Sequence, residues 1–310
     1  TGDLTVGTVA AVNQTITTGS GNDKVEFAGN LTENDVVDLA GNTILSTGKM
    51  GKDTVTATGN LGTAVDDSVL QISNVETFEL NIGTTAATYI DASKMTNVGQ
   101  VSLAATGTGT TKITNLAAGT KVGLGIGLDE YAGTLNLALA DATGTADSLD
   151  LVFSSTVDGA DASTTLKTSG IETINIAATA DDTNAGETYE VNMAGSDASK
   201  VVLTGGQVAY PDTYDLATLN KNTTEVDASA LKGKLTIDGV SSGVATTIKH
   251  LGTALVTADL STGSDTVELG KVGIIVHNID ASTGTLDTLS ATLTSAASDF
   301  THIDGFETLN

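Results

Sequence analysis

Cysteine is absent from this 310-residue chain, which excludes disulfides, zinc thiolate sites and iron–sulfur clusters. Arginine and tryptophan are absent too, so all 13 basic residues are lysine. A nucleic-acid binder needs clustered cations to displace counterions from phosphates, and no such cluster occurs. The same deficit disfavours an anionic membrane surface. No apolar stretch reaches 18 residues, so no transmembrane helix is expected. Proline occurs once, at Pro211, against 35 glycines, so turns must come from Gly, Asn and Asp. Aromatic residues make up only 3%, which leaves Val, Leu, Ile and Ala to build the core.

What is abundant is acid. There are 38 acidic residues and a net charge of −25. A chain so charged repels itself unless cations neutralise it. Calcium, which prefers carboxylate and carbonyl oxygen, is the expected partner ion. Thr and Val recur in short alternating runs that fit a pleated surface better than a helix. Helical signals are weak, the best being a short one around Thr213–Leu219. Thr1-Gly2-Asp3 shows neither a charged n-region nor an apolar h-region of a signal peptide. With no initial Met and a final motif that repeats earlier ones, the sequence reads as part of something longer.

Three degenerate repeats organise it. The first joins a turn to an alternating run: Val75-Glu76-Thr77-Phe78, Ile171-Glu172-Thr173-Ile174 and Phe306-Glu307-Thr308-Leu309. The expectation for these Glu residues is an outward position on a strand. The second is Asp-Ala-Ser at Asp91, Asp161, Asp197, Asp227 and Asp280, where Asp and Ser suit corners because they bond their own backbone. The third is Asp-x-[Val/Leu] after a glycine-containing turn, at Asp23, Asp53, Asp147, Asp265 and Asp287. Asp53 precedes Glu76 by 23 residues, Asp147 precedes Glu172 by 25 and Asp287 precedes Glu307 by 20. Reuse of a unit of this length predicts an all-β parallel β-solenoid, with tandem β-sandwich domains as the alternative. Sub-blocks are expected near 1–125, 126–210 and 211–310.

Thr18-Gly19-Ser20-Gly21-Asn22-Asp23-Lys24-Val25-Glu26 fits the calcium nonapeptide G-G-x-G-x-D-x-U-x at every position but the first. It resembles the RTX repeat. Residues 142–151, 171–179 and 200–205 resemble the lattice-forming part of Gram-negative S-layer proteins secreted by the type I pathway. That resemblance implies a secreted cell-surface protein that assembles with identical copies into a calcium-dependent two-dimensional lattice. It also implies attachment to lipopolysaccharide through a region outside this chain. The calcium ligands expected are Gly19, Gly21, Asn22, Asp23, Asp53, Asp147, Asp265 and Asp287. One nonapeptide supplies about half of calcium's six to eight oxygens.

No enzyme signature accompanies these motifs. Asp66-Asp67, Asp129-Glu130 and Asp181-Asp182 are adjacent pairs whose side chains on a strand face opposite ways, unlike the opposed carboxylates of a glycosidase. His250, His277 and His302 have no zinc-site spacing, and neither a nucleophile elbow nor a P-loop occurs. Gly123-Leu124-Gly125-Ile126-Gly127 reads as a turn or a close-packed strand. A secreted RTX-like adhesin is the alternative function, with Tyr210, Pro211 and Tyr214 as its one aromatic cluster.

Overall fold

The structure is a computed structural model. It describes residues 3–8, 12–29, 31–40, 52–59, 61–62, 67–82, 87–105, 109–125, 131–153, 161–178, 188–206, 212–240, 244–272, 277–282, 284, 286–293 and 302–310. Among them every regular element is a β-strand. The chain divides into two compact units, Thr1–Thr143 and Gly144–Asn310.

In the first unit the strands are β1 (Thr5–Thr8), β2 (Thr15–Thr17), β3 (Lys24–Phe27), β4 (Val36–Asp38), β5 (Thr54–Thr58) and β6 (Ser68–Val69). They continue with β7 (Gln71–Ile82), β8 (Thr88–Asp91), β9 (Thr96–Ala105), β10 (Thr110–Leu116), β11 (Lys121–Leu124) and β12 (Gly133–Leu139). The order β1-β3-β5-β7-β9-β11 makes one parallel sheet, and β6-β8-β10-β12 a second. From β5 onward successive strands alternate between the two sheets, so each turn of the chain adds one strand to each. This is the parallel β-solenoid that the repeats predict. The strand β2 pairs with β4, and β4 with the first part of β7.

The second unit repeats the plan. Its strands are β13 (Ser148–Phe153), β14 (Asp161–Thr168), β15 (Thr173–Ala178), β16 (Thr188–Gly195), β17 (Lys200–Gly205), β18 (Thr213–Thr218), β19 (Glu225–Leu231) and β20 (Lys234–Ile237). After them come β21 (Thr247–His250), β22 (Val256–Asp259), β23 (Thr266–Val272), β24 (Asn278–Asp280), β25 (Thr288–Leu293), β26 (Ile303–Asp304) and β27 (Thr308–Leu309). The odd-numbered strands form one sheet and the even-numbered strands the other.

The core consists of columns of equivalent residues. In the first unit Val25, Val55, Phe78, Val101 and Val122 stand in register, each at most 1% exposed. In the second, Leu149, Ile174, Val201, Val226, Ile248, Val267 and Leu289 do the same, at 2% exposure or less. Burying each such side chain contributes about 1.5–3 kcal/mol before chain entropy is set against it. These columns contain the apolar residue of Asp-x-[Val/Leu] and also that of the Glu-Thr motif. The two motifs are therefore one repeat in register, an acid two positions before the first core residue.

Corners follow Asx chemistry. Ser93, Ser229 and Ser282 each donate their N–H to the Asp two residues earlier, at 2.8, 3.1 and 2.8 Å. Where β7 leaves β4 for β5, Asn74 takes a left-handed φ of 56° and Asn97 above it one of 55°. Their side chains stack, Asn97 Nδ2 donating to Asn74 Oδ1 at 2.9 Å. Gly123 is close-packed, since a Cβ there would lie 3.2 Å from Ser102 Cα.

Residues 213–218 are strand, not helix, because Tyr214 and Leu216 alternate into the core while Thr213 and Asp215 face out. The aromatic cluster is also reassigned. Tyr214 is 1% exposed, its ring 5.5 Å from that of Tyr189, which stacks on Phe153 at 4.7 Å. Tyr210 and Pro211 lie outside the described residues, as do Asp66, Asp129, Glu130, Asp181 and Asp182.

Candidate functional site

Side chains alternate along a strand, so an acid two positions before an inward valine also points inward. Asp23, Asp53, Asp265 and Asp287 are accordingly 1%, 1%, 0% and 0% exposed. Each sits where the chain enters a strand of the odd-numbered sheet, and there it meets a backbone N–H that the strand ladder leaves over.

In the first unit, Leu4 N–H donates to Asp23 Oδ1 at 3.0 Å. Asp23 N–H donates to Asp53 Oδ1 at 2.7 Å, and Asp53 N–H to Glu76 Oε2 at 2.6 Å. Backbone bonds run alongside, from Lys24, Thr54 and Thr77 N–H to the carbonyls of Leu4, Asp23 and Asp53. A second, outer series runs the opposite way. Asp3 Oδ1 accepts Asn22 N–H at 2.9 Å, and Asn22 Oδ1 accepts Lys52 N–H at 2.7 Å.

The second unit has the same construction twice. Asp147 N–H donates to Glu172 Oε2 at 2.8 Å, while Gly144 N–H donates to Asp147 Oδ2 at 3.0 Å. Hydroxyls take over on the next rungs, Ser199 Oγ donating to Glu172 O and Thr224 Oγ1 to Ser199 O. Acids then resume. Thr246 N–H donates to Asp265 Oδ1 at 2.7 Å, Asp265 N–H to Asp287 Oδ1 at 2.6 Å and Asp287 N–H to Glu307 Oε2 at 2.7 Å.

A carboxylate accepting a backbone N–H makes a short, charge-assisted bond. Yet Oδ2 of Asp23, Asp53, Asp265 and Asp287 is buried without a hydrogen-bond partner. Stacked like charges in a dry interior disfavour ionisation. Burial pushes the Asp265 carboxyl up to about 6; the Thr246 N–H opposes this and the Asp287 charge adds to it. Asp53 is also raised, by burial first, against the Asp23 N–H, with Glu76, Asp23 and Asp3 adding repulsion.

The residues expected as calcium ligands are distributed along these ladders and their turns. Calcium takes six to eight oxygens. Here every ladder carboxylate already has one oxygen on a backbone N–H, and Asn22 Oδ1 is bound to Lys52. Gly19 is exposed and Gly21 half-buried on the turn before Asp23, and Asp147 is half-buried in a turn bond of its own. Among the described residues no three acidic or histidine side chains gather around one point. The geometry makes the acids rung-to-rung fasteners.

The glutamates at 76, 172 and 307 are members of the ladders, each accepting a backbone N–H; Glu76 and Glu172 are half-buried there and Glu307 is exposed. The recurring Asp-to-Glu spacing of 20, 23 and 25 residues was their signal in the sequence. Gly99 follows Glu76 in the column and has room for no side chain, since a Cβ would lie 2.9 Å from Glu76 O. Among known proteins no family model matches this chain, and neither a curated protein nor a solved structure does.

Proposed function

We propose that this chain is a structural segment of a bacterial surface layer, a stiff building block that packs with identical copies into a two-dimensional lattice. The observation that carries this reading is the laddered solenoid. Rungs are tied together by parallel backbone bonds and apolar columns, and at Asp23, Asp53, Asp265 and Asp287 also by buried acid-to-amide bonds at the corner. Such redundancy resists bending and local opening. The outer rows of small polar side chains, among them Thr247, Thr266, Thr288 and Thr308 in register, suit close packing of repeated copies. The likeness of residues 142–151, 171–179 and 200–205 to lattice-forming S-layer segments points the same way.

Calcium acts in this reading on the outer carboxylates, between copies. Asp215 illustrates the need for a counter-ion. Burial first, then the charges of Asp238 and Glu190, push its carboxyl up to about 6. Secretion to the cell surface and attachment to lipopolysaccharide through a region outside this chain complete the proposal.

Calcium titration of the purified chain, read by negative-stain electron microscopy and light scattering, tests it. Ordered sheets that form with calcium and dissolve with chelator are expected. A chain that stays monomeric at every calcium concentration, with an unchanged melting curve, refutes both the lattice and the role of calcium in it.

A further inference from the structure

Two histidines are buried in the second unit, one at each of its sheets. His250 ends β21 in one sheet and is 1% exposed; His277 precedes β24 in the other and is 4% exposed. His250 Nε2 lies 3.3 Å from the Gly233 carbonyl, and its Nδ1 is buried with no partner. His277 Nδ1 accepts the Val256 N–H at 3.2 Å, which places the ring proton of the neutral form on Nε2. Leu269 stands beside His250, and the Leu235–Val256 column lies below His277.

Tyr214 and Asp212 approach across Gly233, and the Asp212 charge acts on the Tyr214 hydroxyl. Lys249 faces outward, 3.8 Å from Glu268. Burial holds both imidazoles below the usual histidine range, and His250 lowers His277 further.

We propose that His250 and His277 form an acid-released latch in the core of the second unit. Neutral, the rings fill the core and His277 holds the Val256 amide. A proton on His277 Nδ1 turns that acceptor into a donor facing another donor, so the bond is lost. A proton on His250 Nδ1 creates a buried N–H with nothing to receive it. Since the folded state disfavours the protonated rings, the unfolded chain takes up protons first. Stability from this pair is present above about pH 6.5 and declines as pH falls below it.

The experiment is an NMR titration of the histidine rings in the full chain from pH 8 to 4.5, with exposed His302 as internal reference, alongside hydrogen exchange. His250 and His277 should charge only well below the reference or as the folded signals disappear. The opening constant of the Val256 amide, corrected for intrinsic exchange, should rise by up to tenfold per pH unit for each histidine. His250→Gln and His277→Gln should flatten that slope, the second keeping an oxygen for the Val256 amide. Buried rings that titrate together with His302, without faster exchange, overturn the latch. So does an acid slope that both variants share with the wild type. The ring titration needs only wild-type protein, so it decides the matter even where a variant fails to fold.

Discussion

Replacing Asp265 by asparagine isolates the electrostatic cost of the second ladder. Asp265 is fully buried, and its carboxyl rises from an ordinary 3.8 to about 6. A raised folded value means that the native state binds the proton more tightly than the unfolded chain does. Ionising Asp265 at pH 7 therefore lowers stability, by about 3 kcal/mol at roughly 1.4 kcal/mol per unit. Asparagine keeps an oxygen for the Thr246 N–H at 2.7 Å and removes the charge beside Asp287. Exchanging a charge-assisted bond for a neutral one returns about 1 kcal/mol of that gain. Asp265→Asn is thus expected to stabilise the chain at pH 7 by about 1–2 kcal/mol. The wild type carries a stability term that is full below pH 4 and is lost as pH rises through 6, and the variant lacks it. Urea unfolding at pH 4, 5, 6 and 7, with exchange of the Asp265 amide as a local probe, measures the difference. The term that the histidines add, opposite in sign, is common to both proteins and cancels. A variant less stable than wild type at pH 7, or two parallel pH profiles, would refute the reasoning.

Glu76→Ala strands the Asp53 N–H and should destabilise the first unit by about 1–3 kcal/mol in a denaturant titration, whereas Glu76→Gln should stay within about 1 kcal/mol of wild type. Gly99→Ala drives a methyl against the Glu76 carbonyl, so its melting point should fall with a loss of about 1–3 kcal/mol. Tyr214→Phe removes a buried hydroxyl that has no partner, and thermal melts should show it equal to wild type or up to about 1 kcal/mol more stable.

Much of this protein is legible in its sequence because a solenoid repeats one local decision. The alternation in Lys234-Leu235-Thr236-Ile237 makes a half-buried strand wherever it stands, and so does that in Thr173-Ile174-Asn175-Ile176. Glycine and Asx residues mark corners for reasons internal to their own backbone, as Asp91, Asp227 and Asp280 do. The spacing of Asp53 to Glu76 already measured one turn of the coil.

What the sequence could not decide is where a side chain points once rungs stack. Asp23 looks the same whether it faces calcium or an amide, and only register shows its Oδ1 on Leu4 N–H and its own N–H on Asp53. Tyr214 looked like part of a binding patch, until the strand's alternation against the Tyr189 ring placed it inside. His250 and His277 are both buried, one at each sheet, a placement that linear spacing does not carry. Local chemistry, the period-two pattern and the rung length were determined by the sequence alone. The partners of each buried polar group were decided by tertiary structure, because stacking joins residues about one rung apart and hydrogen bonding depends on the atoms that then come within reach.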